Sequence, residues 1–130
     1  SSQGDIYIDN GAHHGQVEKW TSNGFTPTIV MTVNSSCYSL FLTPSDILYC
    51  SSSDLHQVFA KSMNVSWTTP MPVAGTGING SASNQLSSPR GIYVNDQHDL
   101  YVADCDNNRI QLFRSGQSTA ITVLNTITIP

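Results

Sequence analysis

Several groups of residues in this chain have the types and spacing that chemistry uses. Gly75-Thr76-Gly77-Ile78-Asn79-Gly80 reads G-x-G-x-x-G, the spacing with which a glycine backbone approaches a dinucleotide pyrophosphate. That use needs a strand before the motif, a helix after it and an acidic residue about 20 positions on. SASNQLSSPRG follows instead and has no helical pattern, so the glycines are read as turn residues that supply positive φ. Asp104, Asp106 and Asn108 open like a calcium loop, D-x-D-x-N. A loop of that kind requires glycine at its sixth position and glutamate at its twelfth, where this chain has Arg109 and Ser115. The three side chains are therefore expected to cap a turn between two strands.

The imidazoles are His13, His14, His56 and His98. His14 and His56 stand shortly before Gln16-Val17 and Gln57-Val58, which makes them equivalent positions in different repeats rather than one metal cluster. Adjacent His13 and His14 would point to opposite faces of an extended strand. No G-x-S-x-G is present, and no cysteine has the framework of a catalytic nucleophile. These residues assign no reaction: the chain is expected not to be an enzyme, and to hold no cofactor and no metal.

The elements that position these residues are strands. Short alternating runs rich in β-branched and aromatic residues recur, and no segment sustains a 3.6-residue period. IYIDNGAHHGQVEKW begins at Ile6, LYCSSSDLHQVFAK at Leu48 and LYVADCDNNRIQLFR at Leu100, giving steps of 42 and then 52 residues. Each is a strand, a polar turn and a second strand, and GTGINGSASNQLSS accounts for the longer step. A four-stranded unit fits the last repeat at Gly91–Val94, Leu100–Ala103, Arg109–Phe113 and Ala120–Leu124. It fits the middle one at Tyr38–Leu42, Ile47–Cys50, Gln57–Ala60 and Met71–Ala74. The first repeat shows three strands, at Ile6–Ile8, Gln16–Trp20 and Thr28–Val33. Trp20 and Trp67 are read as packing between units, and a carbohydrate or peptide platform is the lesser reading.

Leu86 to Arg114, LSSPRGIYVNDQHDLYVADCDNNRIQLFR, resembles an NHL repeat, the blade unit of a family of β-propellers. The resemblance implies an all-β chain of three four-stranded blades, at about residues 1–36, 37–86 and 87–125. It marks Asn108-Arg109-Ile110 as a turn exit and Arg109 as structural. It also implies six blades to a ring, so that three blades are half of one. Some relatives in this fold are lyases or lactonases with metal ligands at the central axis. The innermost strands here, YSLFL, GIYVN and TITIP, carry no His, Asp or Glu before their turns, which argues against that use.

The first blade lacks its innermost strand, and Thr126-Ile127-Thr128-Ile129-Pro130 reads like such a strand without a blade. Joined end to start, ITIPSSQGDIYID aligns with IYVNDQHDLYVAD. Thr126, Ile127 and Ile129 of one copy are thus expected to pair with Ile6, Tyr7 and Ile8 of another. Three blades fall short of the 4–8 that close a propeller. Unpaired edges invite another chain, and a head-to-tail contact gives a ring or a fibre. The expected partners are other copies of the chain.

Charged residues make up only 11% of the chain, with a net charge of −4. Lys19, Lys61, Arg90, Arg109 and Arg114 are scattered, so no basic patch for nucleic acid exists. No apolar run approaches the roughly 20 residues of a membrane span. Asn34, Asn64 and Asn79 each begin an N-x-Ser acceptor triplet, which points to N-linked glycans and a secreted, extracellular protein. Folding two strands antiparallel about Thr43 and Pro44 sets Cys37 opposite Cys50, near the ~5.5 Å between Cα atoms that a disulfide prefers. That bridge fits an oxidising compartment and leaves Cys105 free or paired with another copy. The expected function is a structural or protein-interaction propeller module. The alternatives are a ligand-binding fragment of a larger secreted receptor or matrix protein and, last, a metal-dependent lyase or lactonase.

Overall fold

The computed structural model describes residues 4–9, 16–21, 28–33, 35–64 and 69–125. Among them the chain forms three antiparallel sheets, each a meander of consecutive strands. The first holds β1 (Ile6–Asp9), β2 (Gln16–Trp20) and β3 (Thr28–Thr32). The second holds β4 (Ser39–Leu42), β5 (Ile47–Ser52), β6 (Gln57–Ser62) and β7 (Met71–Ala74). The third holds β8 (Pro89–Val94), β9 (Leu100–Asp104), β10 (Arg109–Phe113) and β11 (Ile121–Asn125). These are blades 1, 2 and 3.

Side chains alternate across each strand, so every blade has a leading face toward the blade before it and a trailing face toward the blade after. The core is two apolar layers between blades. Leu48 and Cys50 on the leading face of blade 2 meet Val17, Met31 and Val33 of blade 1. Tyr49, Val58 and Ala74 on its trailing face meet Val94, Leu100, Val102 and Phe113 of blade 3. Every outer strand carries the same irregularity: its register against the third strand shifts at Val17/Glu18, Val58/Phe59 and Ile110/Gln111. This shared bulge equates Met31, Ala74 and Leu124.

β2, β7 and β10 coincide with the strands read from the sequence. β8 starts at Pro89 rather than Gly91, because a bulge between Pro89 and Ile92 interrupts the alternation. β5 runs on to Ser52, since two serines that read as turn residues are buried within the sheet. Ser51 Oγ donates to the Arg90 carbonyl at 2.5 Å, which satisfies it there. Thr126, Ile127 and Ile129, expected as an assembly strand, lie outside the described residues. So do Asn34, His13, His14 and Trp67.

Candidate functional site

The clearest chemistry is structural. Asp104, fully buried at the end of β9, accepts from the Arg109 Nε at 2.7 Å, the Asn107 Nδ2 at 2.8 Å and the Ser87 backbone N–H at 2.7 Å. Arg109 then donates to the Ser81, Ala82 and Gln85 carbonyls, and Asn107 to the Gly80 carbonyl. The glycine-rich segment is therefore a connection between blades whose carbonyls are taken up by one guanidinium and one amide. Its entry is close-packed: a Cβ on Gly75, at φ +86°, would lie 2.2 Å from the His56 carbonyl oxygen. His56 Nδ1 accepts from the Ser88 N–H at 3.0 Å, which ties blade 2 to the start of β8. His56 and Asn108 occupy the same turn position and share a left-handed backbone, at φ 57° and 53°. Among the described residues no group of three or more His, Cys, Asp or Glu is placed to hold a metal ion.

Cys37 and Cys50 are bonded, with Cα atoms 5.3 Å apart. They are not directly opposite in the ladder. The turn spans Thr43 to Ile47, which sets Leu40 against Cys50. The Tyr38 N–H reaches the Ser51 carbonyl and the Ser39 N–H the Ser51 hydroxyl, so the chain steps out of register and carries Cys37 across to Cys50. Cys105 is free and half-buried, and burial pushes its thiol up from the ordinary value. Asn64 is exposed after β6, with Nδ2 donating to the Ser45 carbonyl, and Asn79 is exposed in the connection between β7 and β8.

The two end faces are the largest departure from a closed core. On the leading face of blade 1, Ile6 is 59% exposed, although the equivalent Leu48 and Leu100 are 0% and 3%, and Ile8 is 42% exposed, although the equivalent Cys50 and Val102 are both 0%. Ile29 and Trp20 share this face with them. Tyr7 points the other way, against the layer shared with blade 2. On the trailing face of blade 3, Tyr93, Tyr101, Ile110 and Leu124 take the places of Phe41, Tyr49, Val58 and Ala74. Leu124 is 55% exposed, whereas Met31 and Ala74 are 2% and 3%. The rings of Phe41, Tyr93 and Tyr101 continue outward in sequence, with centroids 5.4 and 6.1 Å apart. Single residues gave no sign of these faces; they emerge only when the three repeats are compared position by position.

The NHL repeat family matches residues 86–113. No curated protein matches the chain by sequence. Among solved structures, an auxiliary nutrient binding protein from Bacteroides thetaiotaomicron VPI-5482 superposes with a TM-score of 0.72 at 21% identity, over 92% of this chain and 33% of its own. An auxiliary nutrient binding protein from Bacteroides ovatus ATCC 8483 gives 0.73 at 17% identity, over 93% of this chain and 33% of its own. A chain of a nidogen/laminin complex gives 0.67 at 14% identity, over 90% and 40%. The chain thus spans about a third of the first two structures' length. At these identities the likeness is one of fold, that of the β-propeller.

Proposed function

From the NHL-repeat match at residues 86–113 and the β-propeller fold, we propose that the chain is a non-catalytic structural and protein-interaction module of NHL-type blades that stacks blade on blade with further copies of itself. The observation that carries this reading is the pair of end faces. Ile6, Ile8, Ile29 and Trp20 on one end and Tyr93, Tyr101, Ile110 and Leu124 on the other have the residue types that bury each other inside the chain. Burying such apolar surface is worth roughly 25 cal/mol per Å². Head-to-tail contact through these faces makes either a six-bladed ring of two copies or a repeating fibre. The module works outside the cell: the Cys37–Cys50 bridge suits an oxidising compartment, and the exposed Asn64 and Asn79 are open to glycosylation. The fold neighbour solved in a nidogen/laminin complex supports a role in protein contacts.

Light scattering on the chromatographed 130-residue chain tests the reading. A dimer or a polymer is expected, and Ile110→Asp, which places a charge on the trailing face, is expected to return it to a monomer. A folded wild-type monomer at high protein concentration would overturn self-association.

A further inference from the structure

The two seams between blades use equivalent positions but are filled differently. In the seam between blades 1 and 2, Met31 is buried and Met63 packs against the same apolar layer. The shared bulge equates Met31 with Ala74. The parallel course of β6 and β10, with Lys61 opposite Leu48 and Phe113 opposite Leu100, equates Met63 with Ser115. Two thioether side chains in one seam thus become a methyl and a hydroxymethyl in the other. There a cavity of about 400 Å³ remains open, with Tyr49, Leu100 and Phe113 among its apolar lining. Interiors are normally packed without such voids, and in the other seam the longer side chains of Met31 and Met63 stand at the equivalent positions.

Side chains with donor groups also line the cavity. Arg114, His98 and Gln117 line it, and none of its lining residues is acidic. The Arg114 side chain is largely exposed and pairs with Asp99 at 3.5 Å. Asp99 is itself held by the Ser115 N–H and the Asn95 amide, so its charge is shared and Arg114 keeps donors for an anion.

We infer that the cavity between blades 2 and 3 is a binding site for a small aryl-alkanoic acid. Its ring sits where Met31 and Met63 sit in the other seam, against Tyr49 and Phe113, and its carboxylate meets Arg114. The site is separate from the end faces, so it stands whether or not the chain self-associates.

The test is a calorimetric and amide-shift titration of the whole chain with 3-phenylpropionate, and with 3-phenylpropan-1-ol as the uncharged counterpart. Saturable binding of the acid is expected, with shifts at Tyr49, Phe113 and Arg114, and the alcohol should bind about tenfold more weakly. Arg114→Gln should remove that difference. Ala74→Met and Ser115→Met transplant the plugs of the other seam and should abolish binding while Tm holds or rises. Ser115, at the rim, gives the informative variant if Ala74→Met does not fold. Absence of saturable binding, equal binding of the alcohol, or unchanged binding in a folded plugged variant would each overturn the proposal.

Discussion

β1, β5 and β9 are the same strand in three blades: IYID, LYCSS and LYVAD. Their burial differs in a regular way. β5 has a blade on both sides and is buried from Leu48 onward. β9 is covered on its leading side alone, and burial alternates along it, with Leu100, Val102 and Asp104 inside and Tyr101 and Ala103 half-out. β1 has its cover on the other side, and there Ile6 and Ile8 are the exposed ones. A strand whose apolar residues fall on both faces is built for two neighbours, and exposure at the ends records which neighbour is lacking among the described residues. The same comparison separates the seams: one carries Met31 and Met63 where the other has Ala74 and Ser115 lining a cavity.

The largest way to break the likeness between blades is at their turns. Arg109→Ala strands the buried Asp104 charge and should cost about 3–5 kcal/mol in urea unfolding. The equivalent of Asp104 in blade 2 is Ser52, whose hydroxyl accepts the Leu55 N–H, and Ser52→Ala should cost about 1 kcal/mol. Equal losses would mean that the Asp104–Arg109 hub holds no more than an ordinary turn. Next comes the pair Leu48→Ala and Ile6→Ala, at one position in two blades. The first should lose roughly 2–5 kcal/mol as a core truncation and the second no more than about 0.5 kcal/mol in a monomeric sample. An Ile6→Ala loss that grows with protein concentration would show a second copy covering that face.

Removing the bridge with Cys37→Ala and Cys50→Ala should cost about 2–4 kcal/mol for a separation of 13 residues, seen as a lower Tm in the variant and in reduced wild type. A variant as stable as wild type would locate the strength of that seam in its apolar layer alone. The smallest effect concerns pH. Hydrogen bonds from the Ser115 N–H and the Asn95 amide, with Arg114 nearby, hold the Asp99 carboxyl below its ordinary value. A carboxylate lowered in the folded state adds stability that is present above its unfolded pKa and is lost as the pH falls through the folded one. Asp99→Asn should therefore flatten the acid side of the stability profile and leave neutral pH less affected than the Arg109 variant does. A wild-type acid limb unchanged by Asp99→Asn would remove that carboxylate from the account.

Much of this was legible without coordinates because it is local. Period-2 alternation locates strands, and turn chemistry explains Asn108 and the glycine segment. Three blades followed from repeated Ile/Leu-Tyr starts at Ile6, Leu48 and Leu100. What failed was also local in cause: polar Ser51 and Ser52 read as a turn, yet they lie inside a sheet because Ser51 finds a partner in the next blade. The Cys37–Cys50 pair was read from a hairpin with the wrong turn, and the bond forms because the chain leaves register at Tyr38.

The amino-acid sequence by itself determined that the chain folds as repeated antiparallel blades, since hydrogen-bonded strands and tight turns depend on residues a few positions apart. Only the tertiary structure decided which equivalents are buried, that Arg109 gathers the connection between blades, and that one seam stays open. Those outcomes depend on what stands across a packed layer about 10 Å thick, from a blade 40–50 residues away in the chain. Tyr49 and Tyr101 are the same letter in the same motif, and only the blade in front of one of them makes it core.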